Sequence, residues 1–227
     1  MNTRIKAAFL AISLAVLAGC SSTPIDLDRK ALAANKVNTI DLTSAKKITY
    51  TRSEGASRAT SMLGGGLVGA LVGMGVDGAI NMNRASTIAP IIKAMGNYNT
   101  SDVFKRKLAG LKGPSFANGL KVNSYETPVE SELNVLNIAS GYVLSANHQA
   151  VGVGATAKIK TSEKAPVYAK RYSASSPIQM GLKEGEKINA TRWLTKNPAK
   201  LKQAIESAMD KIVQQIAVDY NVGTPKQ

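Results

Sequence analysis

The sequence is poor in the residue types from which catalytic and metal sites are usually built. It has one cysteine, one histidine and only 15 acidic residues among 227. A single cysteine excludes an intramolecular disulfide, so the core alone must hold the fold. With His148 as the only imidazole and the acids thinly scattered, no nucleophile-base set and no metal-ligand set can be recognised. We therefore predict a non-enzymatic protein with no catalytic residues, no metal and no cofactor.

The first twenty residues have the pattern of an export signal. A basic start precedes an apolar stretch over residues 7–17, and Ala18 and Gly19 are small residues directly before Cys20. The apolar stretch is shorter than the ~20 residues that a membrane-spanning helix needs. The tetrapeptide that begins at Leu17 resembles the lipobox of bacterial lipoprotein signal peptides.

This resemblance implies that residues 1–19 are a signal peptide and that Cys20 becomes the acylated amino terminus of the mature chain. In Gram-negative lipoproteins, an Asp directly after that cysteine commonly retains the protein in the inner membrane, whereas Ser21 follows here. The resemblance therefore implies an outer-membrane protein that faces the periplasm. Residues 20–36 lack a sustained apolar period and are predicted to be the lipidated terminus and a flexible tether.

Basic residues are in marked excess, with 29 Lys and Arg and a formal net charge of +14. They are scattered along the chain and no aromatic stacking motif accompanies them, which disfavours a nucleic-acid partner. In the envelope, anionic lipid head groups, lipopolysaccharide phosphates and acidic polymers are the expected counter-surfaces. A solvated basic surface without a specific partner explains the same charge.

The segment Met62–Ile80 is almost uncharged and rich in glycine. Gly65, Gly69 and Gly73 recur every fourth residue and form one stripe on a helix, which Asp77 continues. The stripe resembles the glycine zippers of some outer-membrane lipoproteins, and such a helix would be about as long as the hydrocarbon core is thick. Insertion is opposed by the cost of placing the Asp77 carboxylate in lipid.

The alternative for residues 62–80 is a glycine-rich helix that packs on the sheet of a soluble domain and continues to about Met95. This alternative is favoured, although each interior glycine costs about 1 kcal/mol of helix propensity. Two G-x-G-x-x-G matches in the segment lack the acidic residue that a dinucleotide site needs downstream, so no nucleotide is predicted.

The remaining pattern predicts an α+β fold, with an antiparallel β-sheet packed by a C-terminal amphipathic helix and a Gly-rich helical insertion. The domain is predicted over 37–222, followed by a tail at 223–227. The predicted elements are strands at 37–42, 47–52 and 120–125; a helix capped by Ser101 and ended by Gly113-Pro114; an antiparallel hairpin with strands at 151–160 and 167–172 within a mainly β region, 119–175; and a C-terminal helix capped by Asn197, begun by Pro198 and closed by Gly223 and Pro225.

The order of these parts resembles that of uncharacterised proteobacterial outer-membrane lipoproteins. More distantly, it is similar to accessory lipoproteins such as the penicillin-binding-protein activator, curli-secretion lipoproteins and transport auxiliary lipoproteins. The resemblance implies a non-catalytic binding or assembly role in the envelope, with an envelope protein or an anionic polymer as partner. The alternative is a membrane-inserting or oligomerising protein that acts through residues 62–80.

Overall fold

The computed structural model of the chain describes residues 26–44, 49–50, 82–145, 148–181 and 188–221. Within them lie five helices and six strands. In chain order these are α1 (Arg29–Ala34), β1 (Val37–Ser44), β2 (Thr49–Tyr50), α2 (Met82–Met95), α3 (Thr100–Ala109), β3 (Phe116–Tyr125), β4 (Val135–Leu144), β5 (Ala150–Ile159), β6 (Tyr168–Pro177), α4 (Ala190–Lys196) and α5 (Pro198–Asn221).

The strands form one mixed sheet in the order β3-β1-β4-β5-β6, and β2 also pairs with β4. β4, β5 and β6 are antiparallel neighbours, as the hairpin pattern predicts. β1 runs parallel to both β3 and β4, and β2 continues the parallel pairing along β4. The α+β class is thus confirmed, and the parallel ladders around β1 are an addition that the sequence pattern did not indicate.

The helices α3 and α5 pack on one face of the sheet and form the helix layer, to which α2 and α4 are attached through α5. α5 packs on β5 and β6, while α3 packs on β1 and β3 and also contacts α5. α2 and α4 lie against each other and against α5. The residues of β5 that face this layer are small or β-branched, and they are fully buried: Val151, Val153, Ala155, Ala157 and Ile159.

The C-terminal helix α5 was predicted from its apolar residues at spacings of three and four, and the structure confirms it. Leu201, Ile205, Met209 and Ile212 are buried against the sheet. Its start differs in detail from the prediction. Asn197 is the C-cap of α4, and its side-chain amide donates to the Trp193 carbonyl (2.9 Å) instead of capping α5.

Part of the segment that was predicted to be a tether belongs to the folded domain. α1 lies inside the range 20–36, and the Asp28 carboxylate caps it by accepting from the Ala31 amide (2.9 Å). Leu27 and Leu32, on either side of the helix start, are buried in the common core. Because burial of two leucines ties this segment to the domain, residues 27–34 are part of the domain and not of a tether.

Other boundaries shift by a few residues. The cap of α3 is Asn99, whose side chain accepts from the Ser101 and Asp102 amides, so Ser101 lies inside the helix. α2 ends at Met95, as predicted. Several predictions lie outside the described residues: the signal peptide and Cys20, the segment 62–80, most of the strand at 47–52, and the closing residues Gly223 and Pro225.

Gly113 occupies a tight junction between α3 and β3. Its φ of 136° lies in a region that L side chains rarely adopt, and an added Cβ would collide with the Asn221 side chain. That side chain links the end of α5 to the loop, because its amide donates to the Lys112 carbonyl (3.0 Å) and its oxygen accepts from the Ser115 amide (3.2 Å). The junction therefore needs glycine for both conformation and space.

We expect Gly113→Ala to destabilise the fold by about 2–4 kcal/mol, since backbone strain adds to the displacement of Asn221. Gly119→Ala is the matched control, because Gly119 also has a positive φ (77°) but has open space around its Cα. Urea unfolding followed by circular dichroism measures both. If the two substitutions lower the free energy of unfolding equally, the contact with Asn221 contributes nothing to the effect of Gly113→Ala.

Candidate functional site

The sheet face opposite the helix layer carries polar residues, and we call it the open face. The strand register places Asp41, Asn137 and Lys158 directly opposite one another on β1, β4 and β5. Asn123 of β3 extends this row beyond Asp41. A second row includes Thr43 of β1 and Thr156 of β5, so hydroxyls flank the charged and amide groups.

A groove with a volume of about 710 Å³ lies over these rows. The chain that follows β3 forms one wall with Pro128, Val129 and Glu130, and Val167 lies on the β6 side. The Thr43 hydroxyl donates to the Thr127 carbonyl (3.3 Å), which fastens this wall to β1. The volume is within the range of small-molecule and peptide sites.

Asp41 is a nearly buried carboxylate at the floor of the groove, with 8% of its surface exposed. Its Oδ1 accepts a hydrogen bond from Asn123 Nδ2 (2.9 Å). Within the described part of the chain, no cation forms an ion pair with it. Buried charges are normally paired, because desolvation of a lone carboxylate is costly.

Asn137 is the middle group of the row. Both polar atoms of its carboxamide are shielded from solvent, and neither has a hydrogen-bond partner among the residues that the structure describes. A buried amide left in this state costs about 1–3 kcal/mol per unsatisfied group. Asn137 thus places an unsatisfied carboxamide among the residues that line the groove.

Lys158 completes the row on β5. Its side chain is exposed and makes no ion pair or hydrogen bond within 26–44, 82–145, 148–181 or 188–221. Lys160, two residues further on the same face, instead pairs with Glu163 (3.1 Å). The row thus presents an acid, an amide and an amine in sequence across three strands.

A second titratable cluster, centred on Asp219 of α5, lies on the helix side of β6. Asp219 Oδ2 accepts from the hydroxyls of Tyr168 (2.8 Å) and Tyr172 (2.7 Å), and Oδ1 accepts from Lys170 Nζ (2.6 Å). Arg29 of α1 donates to the Asp219 backbone carbonyl (3.3 Å). The cluster ties α1, β6 and α5 together and leaves the carboxylate fully engaged, which is the arrangement of a structural clamp.

The clamp sets the protonation of its members. Burial raises the pKa of Asp219, but the hydrogen bonds from Lys170, Tyr172 and Tyr168 outweigh it and hold the pKa below its ordinary value of 3.8. Burial, followed by the hydrogen bond to Asp219, raises the pKa of both tyrosines. The hydroxyls therefore remain protonated donors, and the carboxylate remains charged, at neutral pH.

We expect Asp219→Asn to destabilise the protein by about 1–3 kcal/mol at pH 7, because three donors lose a charged acceptor. The stabilisation comes from a carboxylate whose pKa is lower in the folded state. It is therefore present above pH 3.8 and is lost as the pH falls through the folded-state pKa. Urea unfolding at pH 7 and below pH 3 should show the difference between wild type and variant shrinking in acid. Asp210→Asn, at an exposed position of the same helix, is the control and should change little.

A third cluster consists of hydroxyls only. Ser44, Ser140 and Tyr142 hydrogen-bond to one another at 3.0–3.4 Å beneath the helix layer. Burial raises the pKa of Tyr142, so its hydroxyl does not ionise near neutral pH. The cluster satisfies polar groups in the core and contains no group that could act as a base.

His148, the only imidazole in the sequence, lies in the turn between β4 and β5. It is buried, its φ is 58°, and burial lowers its pKa. The length of β5 separates it from Lys158 by about 30 Å along the strand, so it is not part of the groove. Among the described residues, no group of three His, Cys, Asp or Glu is arranged to hold a metal ion.

The structure does not describe the site residues that were predicted from the sequence. Cys20 and the stripe of Gly65, Gly69, Gly73 and Asp77 are outside the described residues, so the structure does not test them. In the ranges that are described, no helix is both long and apolar enough to cross a membrane. The groove was not predicted, although the alternation along β5 indicated that Lys158 and Lys160 point away from the core.

Comparisons with protein-family models, curated proteins and solved structures returned no match.

Proposed function

We propose that this chain is a lipid-anchored outer-membrane protein whose periplasm-facing α+β domain is a non-catalytic binding or assembly module of the cell envelope. The observation that carries the binding role is the groove on the open face, whose floor holds a nearly buried carboxylate and an unsatisfied carboxamide. Groups of this kind cost stability unless a ligand satisfies them.

The location is supported by the sequence pattern at the amino terminus. The lipobox-like residues ending in Cys20 imply thioether and amide acylation, which anchors a protein far more firmly than a single acyl chain. The serine that follows, Ser21, supports sorting to the outer membrane. The partner is an envelope protein or an anionic envelope polymer, and the basic excess of the chain favours acidic groups on it.

The alternative is a membrane-inserting or oligomerising role for residues 62–80. It is favoured by one specific observation, the recurrence of Gly65, Gly69 and Gly73 at every fourth residue of the sequence. Asp77 continues this repeat but opposes insertion, because a carboxylate in lipid is costly. The two roles differ in what holds the protein on the membrane. In the first, the lipid is the only anchor, whereas in the alternative the glycine-rich segment is a second one.

We expect Cys20→Ala to abolish incorporation of radiolabelled palmitate and to remove the protein from the outer-membrane fraction, because the only acylation site is lost. Sucrose-gradient fractionation, followed by alkali and high-salt washes, measures the location. Ser22→Ala is the matched control, since it changes a neighbouring residue and keeps the cysteine.

Retention of the Cys20→Ala protein against both washes would refute the lipid as sole anchor and favour the alternative. In that case Gly69→Leu, which fills the glycine stripe, should abolish any oligomers that the protein forms in detergent, because the leucine side chain prevents close approach of a second helix. Absence of palmitate label on the wild type would overturn the lipoprotein assignment itself.

A further inference from the structure

Across the strands, the row of Asp41, Asn137 and Lys158 presents its charged and hydrogen-bonding groups in a fixed order. One type of ligand carries complementary groups in the same order. The three residues are paired across adjacent strands, so Asp41 and Lys158 lie two strand spacings, or about 10 Å, apart at the backbone. Between them, the Asn137 carboxamide offers one acceptor and two N–H donors. The sequence of groups is therefore negative, amide and positive.

Each member of the row lacks the partner that such a ligand would supply. Asp41 is almost buried yet has only the Asn123 amide as a partner. Asn137 has both amide atoms shielded and unsatisfied within the described residues. Lys158 is an amine without an ion pair in the same part of the chain. A cation, a peptide bond and an anion would satisfy these three groups in that order.

We propose that the groove binds a short peptide with free amino and carboxyl ends, lying across the strands. Its ammonium pairs with Asp41, one of its peptide bonds exchanges hydrogen bonds with the Asn137 carboxamide, and its carboxylate pairs with Lys158. This inference rests on the proposed binding role of the domain and names the ligand class.

The dimensions of the groove agree with this ligand. An extended chain spans about 3.3–3.6 Å per residue, so two or three residues cover the roughly 10 Å between the two charged positions. The volume of about 710 Å³ leaves room for side chains. Pro128, Val129 and Val167 on the walls are apolar, which favours small aliphatic side chains on the peptide.

The binding test uses the full wild-type chain in detergent micelles and isothermal titration calorimetry. The probes are trialanine, N-acetyl-trialanine, trialanine amide and inorganic phosphate. Trialanine should bind, and blocking either end should weaken binding by about tenfold or more, because each blocked end removes a charge-assisted contact. Phosphate should bind more weakly than trialanine, since it supplies only the anion.

Variants assign each end of the peptide to its residue. Lys158→Ala should weaken trialanine binding about tenfold and leave trialanine amide unaffected, because that probe already lacks the carboxylate. Asp41→Asn should weaken trialanine but not N-acetyl-trialanine. Asn137→Ala should weaken all three peptides. Lys200→Ala, an equal change of charge at an exposed position of α5, is the matched control and should bind like wild type.

Thermal unfolding gives a second readout that does not depend on calorimetric heats. Trialanine should raise the unfolding temperature of the wild type, because it binds the folded state only. Asp41→Asn should raise the unfolding temperature without ligand, since a nearly buried carboxylate without an ion pair is removed, and should reduce the further rise on adding trialanine.

Three results would overturn the proposal: no binding of trialanine, equal binding of the free and blocked peptides, or phosphate binding as tight as trialanine. The last would make the groove an anion site for phosphorylated polymers or head groups. None of these results alters palmitate labelling or membrane location, so failure of the peptide proposal is distinguishable from failure of the proposed lipoprotein function.

Discussion

Burial of one sheet face beneath α5 and α3 determines what the other face presents. Side chains alternate along a strand, so Ala157 and Ile159 of β5 can enter the core only if Lys158 points away from it. A shift of register by one residue would place a lysine under α5 and expose the core residues. The row on the open face is therefore held in position by the same packing that stabilises the domain.

The buried polar groups on the two faces of the sheet differ in whether they have hydrogen-bond partners. On the helix side, Asp219 accepts from three side chains, and the hydroxyls of Ser44 and Tyr142 satisfy each other. The Tyr220 hydroxyl is an exception, since it lacks a hydrogen-bond partner among the described residues, although the Tyr220 ring packs against Phe116 and Tyr168.

On the open face, the Asn137 carboxamide has no partner among the described residues, and Asp41 has the Asn123 amide but no ion pair. A domain selected for stability alone would pair these groups or replace them with apolar residues. Their presence on the floor of a groove is the pattern expected where stability is given up for binding.

The sequence predicts the parts of the fold that leave a local periodic signal. The stripe of α5, the end of α2 at Met95 and the β5–β6 hairpin belong to this group. The six residues of α1 are too few to show a helical period, and only the capping residue Asp28 could have indicated it. The parallel pairing of β1 with β4 joins residues almost a hundred positions apart. The alternation along a strand does not indicate which other strand lies beside it, so this pairing could not be predicted.

The groove could not be predicted from the sequence, because its row of residues is brought together by pairing between strands that are distant in the sequence. Lys158 is recognisable as an outward residue of β5, but nothing near it in the sequence identifies Asp41 or Asn137 as its neighbours. The unsatisfied state of the Asn137 amide is a property of packing alone.

The burial of Leu27 in the core also limits where the proposed lipoprotein can act. A tether from Cys20 to residue 36 would reach about 55 Å if fully extended, whereas the seven residues from Cys20 to the buried Leu27 reach at most about 25 Å. The core, which includes Leu27, would thus remain within roughly one domain diameter of the lipid surface. A ligand for the groove must then be found close to the membrane that carries the anchor, and a partner deep in the periplasm would have to approach the protein rather than be reached by it.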